Sequence, residues 1–408
     1  MKTTGIDKLG LGLYVLLCLF AIANIYSVEP KSGEKQLMWF GVSVFVGIVI
    51  FIMRAKFFEN LSAVFYVLGV LLLVGLFPFG SEVLGQKNWY KFGPISLQPV
   101  EFVKLAITLM LANYVSGPDF NIKKSKSLWT ALLIVGIPGV LVLAIPDVGS
   151  LLVFLAFVIA LYREGLTGWL FGVLFLIALI FLVSLGINPI YVIIPILIIS
   201  ALVLFLNSRK IHWNVISISS IIVGIVAMCG LAYGSPKILE KMPKHQRERI
   251  EVLYKGEKAF RDTSGYNLLY SKTAIGSGGF FGKGYREGSV TQGKFVPEQS
   301  TDYIFCTVGE EWGFLGSMLL ILAYCLFIGR IYYLAEKQKS IFNRVFGYCF
   351  ASILLMHFAI NLGMVMGLFP TVGIPLPFFS YGGSSLLAFS IMTFIFFKLN
   401  YVDRNSLV

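Results

Sequence analysis

Asp302 stands in the run Pro297-Glu298-Gln299-Ser300-Thr301-Asp302-Tyr303, immediately ahead of a long apolar stretch. A carboxylate in that position can cap a helix, because Ser, Thr and Asp accept hydrogen bonds from the first free N–H groups and anions suit the positive end of the helix dipole. It can equally serve as a general base, kept ionised by that dipole and by neighbouring Lys or Arg. The two roles are compatible. Glu101 and Lys104 form a second feature, three residues apart on a helix that Pro99 opens, so that they share a face and can pair. Ionisable groups on so apolar a segment are costly and face a cavity or the interior of a helix bundle, where the pair either fixes packing or serves a substrate. Asn113, Asp147, Glu310, Glu311, His357 and Asn361 are further polar groups in or beside apolar runs, each expected to join helices by hydrogen bonds.

The cluster Ile275-Gly276-Ser277-Gly278-Gly279-Phe280-Phe281-Gly282-Lys283-Gly284 invites comparison with phosphate-binding loops and fails the strict ones. The third glycine of GxGxxG would fall at Phe281, and a Walker loop ending at Gly282-Lys283 would need glycine at Ser277 and Ser or Thr at Gly284. ATP and NAD are therefore not supported. Two readings remain: a tight glycine turn, or an anion-binding nest of backbone N–H groups assisted by Lys272, Lys283 and Arg286. A fourth segment, residues 371–385, holds Pro375, Pro377, Gly373, Gly382 and Gly383 and cannot be regular helix. Such backbone near a membrane is tolerated where it is packed in protein or lines a wet cavity, so it is expected to shape the outer end of a site.

The elements that must position these residues are transmembrane helices. The chain has 408 residues, of which 57% are hydrophobic and only 13% charged, and its mean hydropathy is +0.83. That excludes soluble, disordered and fibrous proteins. The apolar runs are apolar all round, which argues against the alternation of a membrane β-barrel. The five cysteines lie in or beside apolar runs without CxxC spacing, so neither a disulfide framework nor a zinc site is indicated. The net charge of +12 largely reflects the positive-inside bias rather than nucleic-acid binding. The first apolar run, Leu9 to Tyr26, is long enough to span and lacks a small-residue cleavage site, so a cleaved signal peptide is not expected.

Twelve spans are expected, at about 9–27, 36–53, 60–78, 99–116, 128–145, 147–162, 166–186, 189–206, 213–233, 304–329, 344–368 and 383–399. A cytoplasmic N-terminus puts sixteen Lys and Arg inside, among them Lys123, Lys124, Arg209, Lys210, Arg330, Lys337 and Arg404, and leaves only Lys31, Lys35, Lys87 and Lys91 in the short outer loops. Both termini are then cytoplasmic. The polar stretch 234–303, with twelve Lys or Arg and eight Asp or Glu, falls outside as one long extracytoplasmic loop within a single membrane domain covering 1–408. Its second half is apolar enough to be ordered. Within 166–233, short connections at 186–189 and 207–210 make consecutive helices antiparallel neighbours, and about two of these spans are expected to be a peripheral pair.

Taken together, these segments closely resemble the SEDS family (shape, elongation, division and sporulation) of polytopic glycosyltransferases, and RodA-like members before FtsW-like ones. The matching pieces are Asn88-Trp89, Gly93 through Lys104, Pro146-Asp147-Val148-Gly149-Ser150, Gln246-Arg247-Glu248-Arg249-Ile250 and Gly265-Tyr266 through Gly279. They continue with Phe295 through Phe305, Gly309-Glu310-Glu311-Trp312-Gly313, and Asn361 through Pro370 with the Pro/Gly segment after it. Gly282-Lys283-Gly284 and Phe295 through Gln299 favour the RodA side.

The resemblance implies polymerisation of lipid II into glycan strands at the outer face of a bacterial plasma membrane, with undecaprenyl pyrophosphate leaving. It maps the family's essential aspartate onto Asp302 and implies roles for Trp89, Glu101 and Lys104. It also implies elongation-complex membrane partners, chiefly a class B penicillin-binding transpeptidase of the PBP2 kind. Two departures stand out. Ser300 replaces the family's usual histidine, so imidazole is not the base there, and where the family has one span between the Pro146 and Gln246 motifs this chain is expected to have two or three more. The expected chemistry is one displacement with inversion, from an α-linked diphosphate to a β-1,4 product. Asp302 would take the proton from the acceptor 4-hydroxyl, and Lys104, Lys272, Lys283, Arg247 and Arg249 are candidates to offset charge on the pyrophosphate. A divalent cation such as Mg2+ or Mn2+ is a possible aid. The competing readings are a lipid-precursor flippase or transporter, which broken helices also suit, a silent scaffold for the transpeptidase, and an FtsW-like division role.

Overall fold

The computed structural model describes residues 5–83, 86–93, 95–208 and 214–405. Arg209 and Lys210, expected to mark a cytoplasmic turn, lie outside them. The chain divides into two compact units, Met1–Leu166 with Tyr266–Val408, and Thr167–Gly265.

The first unit begins with α1 (Lys8–Val28), α2 (Pro30–Ile52), the short α3 (Ala55–Asn60) and α4 (Ser62–Phe79). Three short strands follow, β1 (Ser81–Val83), β2 (Gln86–Phe92) and β3 (Ile95–Leu97), in an antiparallel sheet of order β1-β2-β3 with Ser81 opposite Trp89 and Tyr90 opposite Leu97. Then come α5 (Pro99–Ser116), α6 (Ser125–Ala144), α7 (Val148–Val153) and α8 (Ala156–Arg163). The second unit holds α9 (Trp169–Gly186), α10 (Pro189–Asn207), α11 (Val215–Lys241) and α12 (Lys244–Lys255). The first unit resumes with α13 (Tyr266–Ser277), α14 (Ser289–Gln292), α15 (Ile304–Glu311), α16 (Gly313–Glu336), α17 (Ile341–Val365) and α18 (Gly383–Asn405).

Among the described residues ten helices are long and apolar enough to cross a membrane: α1, α2, α4, α6, α9, α10, α11, α16, α17 and α18. The protein is thus all-α and polytopic, its small sheet aside. Two of the twelve expected segments fall outside that set. One is α5, whose Glu101 and Lys104 make it less apolar. The other is 147–162, which breaks at Phe154 and Leu155 into α7 and α8. Asp147 starts that pair, accepting from the Ser150 N–H at 2.9 Å and its hydroxyl at 2.8 Å, as an N-cap does.

Boundaries moved elsewhere too. The span expected at 304–329 is α15 followed by α16, interrupted at Trp312 and Gly313, the latter in the left-handed region at φ +65°. The span expected to end at residue 233 runs on to Lys241 through Pro236. Residues 234–303 are therefore largely helical rather than one irregular loop. In the second unit Ile180, Val192 and Ala232 form a small core with Ile193, Ile196, Met228 and Leu231 against it, while most other apolar side chains of α9 and α10 face outward, as lipid contact requires.

The core of the first unit lies around α17 and α18, which bury aromatic and small residues on nearly every face. α2 packs on α18, α5 on α4 and α17, and α16 on α17. The ends of these helices are pinned by charge. Arg330 near the end of α16 grips Asp7 at 2.5 Å, and Asp403 near the end of α18 accepts from the Lys339 N–H at 3.0 Å. Ser27, at the other end of α1, reaches Glu311. Asp7 and Asp403 are thereby on one side of the unit and Glu311 on the other.

The α2–α18 contact depends on Gly47. A Cβ added there would stand 2.5 Å from the Phe394 ring, whereas one added at Gly12 on α1 would meet nothing within 4 Å. Replacing a helical glycine by alanine gains about 0.5–1 kcal/mol when space allows, and overpacking costs about 1–3 kcal/mol. Gly12→Ala is expected to keep or raise the thermal midpoint of the purified protein and Gly47→Ala to lower it. Equal midpoints would refute the close-packing assignment.

Candidate functional site

The site is built where three pieces meet: Ser300–Tyr303, one face of α17, and the irregular segment 370–382 that follows α17. Pro370, Pro375 and Pro377 prevent that segment from forming a helix, so its carbonyls need partners from elsewhere. The partners are side chains. Asn361 donates through Nδ2 to the Ile374 carbonyl at 2.7 Å and to the Asp302 carbonyl at 2.8 Å. His357, one turn earlier on the same face of α17, bonds through Nδ1 to the Pro375 carbonyl at 3.0 Å. Tyr324 donates to the Pro377 carbonyl.

Ser380 closes the other side, donating to the Thr301 carbonyl at 2.6 Å and accepting from the Leu376 N–H at 2.8 Å. The Tyr381 N–H donates to the Ser300 carbonyl at 2.8 Å, and the Tyr303 hydroxyl pairs with that of Thr371 at 2.9 Å. Asp302 is held half-buried in this frame. Its carboxylate lies against Gly373, in the left-handed region at φ +72°, where a Cβ would stand 3.2 Å from Oδ2. The same stretch passes close to α7, since a Cβ on Gly149 would meet the Val372 carbonyl at 2.7 Å. Asp302 does not cap α15: the N-cap residue is Tyr303, with no side-chain cap bond.

Glu101 and Lys104 do pair, at 2.8 Å, and both are buried, Lys104 completely. Lys104 Nζ also lies 2.7 Å from His357 Nε2 and 5.4 Å from the centre of the Phe389 ring. Expected as a cation for substrate, Lys104 is enclosed by its three neighbours instead, and Glu101 Oε2 is buried without a hydrogen-bond partner.

The glycine cluster is a packing device rather than an open nest. A Cβ on Gly278 would stand 1.9 Å from the Gly309 carbonyl, and one on Gly282 2.1 Å from that of Glu311. The N–H groups of Lys283 and Gly284, two of those expected to face an anion, donate to the carbonyls of Glu310 and Glu311 at 2.9 and 3.0 Å. Lys283 itself binds Glu310 at 2.6 Å. Glu310 also accepts from the N–H groups of Val290 and Thr291 at 2.9 and 2.8 Å. Glu311 accepts from Ser27 at 2.5 Å and from Gln292 at 3.2 Å.

These adjacent glutamates, ahead of the membrane-spanning α16, are driven apart in acidity. Burial pushes Glu310 up, but Lys283 and the two backbone donors outweigh it and leave its carboxyl below the usual glutamate range. At Glu311 burial prevails over Ser27 and Gln292, and the carboxyl is raised.

Of the other expected site residues, Trp89 lies half-buried on β2 and Lys272 exposed on α13. Arg247 and Arg249 are on α12 of the second unit, where Arg247 pairs with Glu251 at 3.8 Å. Among the described residues no three His, Cys, Asp or Glu side chains gather as a metal site, so the donor set does not make a protein cage for Mg2+ or Mn2+. The partnership of His357 with Lys104 was not read from the sequence. Its signal was present: His357 and Asn361 are i and i+4 on α17 and must share a face.

An apolar cavity of about 990 Å³ opens between α2, α4, α5 and α18, lined by Val46, Ile50, Phe65, Leu72, Phe102 and Ile391, with Tyr90 and Lys91 of β2 at its rim. Fold and site together define a multi-pass helical membrane protein with a carboxylate fixed at one end of its bundle. The sequence profile of the FtsW/RodA/SpoVE family, described as cell cycle protein, matches residues 5–194 and 191–405. The peptidoglycan glycosyltransferase MrdB of Escherichia coli strain K12 is 30% identical over 396 residues, covering 95% of this chain and 92% of its own. A probable peptidoglycan glycosyltransferase FtsW of Bacillus subtilis strain 168 is 27% identical over 387 residues, covering 91% of this chain and 85% of its own. A solved chain of a peptidoglycan synthase complex, described as coordinating polymerization and crosslinking, superposes with a TM-score of 0.72 at 24% identity over 98% of both chains. The chain belongs to the SEDS family of peptidoglycan glycosyltransferases.

Two outcomes follow from the ion pairs. Lys104→Met should destabilise the protein by about 3–5 kcal/mol by orphaning Glu101, and adding Glu101→Leu should restore most of that; thermal unfolding checks it, and a double variant no more stable than Lys104→Met would contradict the pairing. At Glu310 the folded carboxyl is more acidic than an unfolded one, so its stabilisation is present above the ordinary glutamate range of about 4.3 and is lost as pH falls through the depressed value. Glu310→Gln should speed amide exchange in residues 283–292 at neutral pH by about 1–3 kcal/mol of local opening, and acid should bring the parent toward the variant. Unchanged exchange in the variant would remove Glu310 as the anchor of that loop.

Proposed function

We propose that this glycosyltransferase polymerises lipid II into β-1,4 glycan strands at the outer face of the plasma membrane, with a RodA-like role in cell elongation. The observation that carries the reading is the placement of Asp302, a half-buried residue whose backbone is bonded to α17 at the end of the bundle opposite Asp7 and Asp403. The asymmetry of Lys and Arg assigns that end to the outside.

Asp302 takes the proton from the acceptor 4-hydroxyl as its oxygen attacks the donor anomeric carbon. The bond from that carbon to the pyrophosphate oxygen breaks, configuration inverts, and undecaprenyl pyrophosphate departs. No covalent enzyme intermediate is required. The apolar groove suits an isoprenoid tail, because its wall is aliphatic and aromatic while its rim offers Lys91 and Tyr90 to a polar head. Lys91, beside the groove, is the cation of the first unit best suited to offset charge on the leaving group, whereas Lys104 and Lys283 are engaged by Glu101 and Glu310. Gly282-Lys283-Gly284 and Phe295 through Gln299 favour the elongation role over the division role. A crosslinking partner, a class B penicillin-binding transpeptidase, is supported by the synthase complex whose chain shares this fold.

Asp302→Asn keeps the shape of the side chain but cannot accept the proton. With labelled lipid II and purified protein, with and without the transpeptidase, its polymerisation rate should fall by about 10²- to 10⁴-fold, while its thermal midpoint stays near that of the parent. Strand synthesis at the parent rate would remove Asp302 from the role.

A further inference from the structure

The buried polar groups of the bundle form a continuous line that the transfer chemistry above does not use: Glu101 to Lys104, Lys104 to His357, His357 to Pro375, with Asn361 beside it joining Ile374 to Asp302. The hydrogen-bonding capacity of each member fixes how it can operate. The Pro375 carbonyl only accepts, so His357 Nδ1 carries the proton; the Lys104 ammonium only donates, so Nε2 offers its lone pair. The neutral Nδ1–H tautomer satisfies both contacts. The other tautomer would turn an N–H toward the ammonium at 2.7 Å and a lone pair toward the carbonyl at 3.0 Å, and an imidazolium would place a second positive charge beside Lys104. Phe389 packs edge-on against the ring at 5.0 Å and offers no competing hydrogen bond.

We infer that His357 is a positioning residue for the transfer reaction: bridging the Lys104 ammonium and the Pro375 carbonyl, it holds the outer segment 371–376 in place against Asp302. The inference rests on the reading of Asp302 as the base. Two rungs from α17 clamp consecutive carbonyls of a segment with no regular structure, Asn361 on Ile374 and His357 on Pro375. Asn361 is fixed by its Nδ2, which donates to two backbone carbonyls. His357 is fixed only if something locks its ring, and that is the Lys104–Glu101 pair on α5. The buried ion pair therefore acts at a distance from the substrate, through the imidazole, on the backbone at Gly373 that Asp302 packs against. This accounts for a lysine that is fully enclosed in a site expected to use it as a substrate contact.

The test uses the full-length protein in the lipid II assay with its transpeptidase. His357→Gln keeps one donor and one acceptor at the end of the side chain and should retain kcat within about threefold, while His357→Leu should lower kcat by at least about tenfold, the scale of a small misplacement of a reacting group. KM for lipid II should stay within about twofold in both, since neither touches the substrate. Amide exchange should quicken in 371–376 of His357→Leu and remain unchanged along α5 and α17. A parent-like kcat in His357→Leu, or a loss matched by faster exchange throughout those helices, would overturn the inference. Should His357→Leu fail to fold, 15N spectra of histidine-labelled parent decide: the chain has three histidines, His357→Gln assigns the signal, and an Nε2–H or doubly protonated ring overturns the inference. Asp302→Asn in the same assay separates the two ideas. If it is as active as the parent, the base assignment fails; if it is inactive while His357→Leu is unimpaired, only the role of His357 fails.

Discussion

Residues 370–382 form no regular helix or strand that could pair most of their carbonyls, yet many of them are buried in the helix bundle. An unpaired carbonyl there costs on the order of 1–3 kcal/mol, and most of the site can be understood as the set of side chains that prevent this. Asn361, His357 and Tyr324 serve the carbonyls of Ile374, Pro375 and Pro377, and Gln36 donates to that of Ser380 at 3.2 Å. Because Asn361 and Ser380 also bind the backbone of Thr301 and Asp302, satisfying this segment and positioning the carboxylate are one arrangement. A transferase base must be oriented to within a fraction of an ångström, and in the proposed mechanism the bonds of Asn361 and Ser380 to the 301–302 backbone contribute to that orientation.

The paired charges divide into two sorts of work. Glu101 and Lys104 are buried and neutralise each other, which makes them costly to break and weak contributors to net stability. Their value lies in register and direction, since they set the imidazole that meets the outer segment. Glu310 and Glu311 work on the other side of Asp302, tying the glycine-rich loop and α1 to α15. The groove between α2 and α4 is lined mainly by apolar side chains.

Much of this was legible in the sequence, and the parts that were not share a cause. Hydropathy located the helices because burial in lipid acts on each residue separately. The Glu101–Lys104 pair was visible because residue type and local spacing were sufficient, whereas spacing left Asp302 open between a helix cap and a base and only the family resemblance singled it out. The break of the 304–329 stretch at Trp312–Gly313 was hidden, because it is produced by the glycine loop packing on α15, where Phe314 donates to the Gly279 carbonyl at 2.9 Å. The glycine cluster was left open between a tight turn and an anion nest for the same reason: the N–H groups of Lys283 and Gly284 meet carbonyls 27 residues later in the chain. His357 lay among generic polar residues because its two partners, Lys104 and Pro375, come from α5 and from the irregular segment. Ser300, where the family usually has histidine, contributes its carbonyl to Tyr381, a role that asks nothing of the side chain.

The central claim is that Asp302 is the group that receives the acceptor proton. The most direct measurement is a structure of the protein, with its transpeptidase, trapped with a non-reactive donor analogue and a short glycan acceptor. The acceptor 4-hydroxyl is expected within about 2.6–3.2 Å of the Asp302 carboxylate, with its oxygen in line with the anomeric carbon and the pyrophosphate on the far side. A 4-hydroxyl bonded instead to another carboxylate, with Asp302 turned away from the reacting atoms, would contradict it.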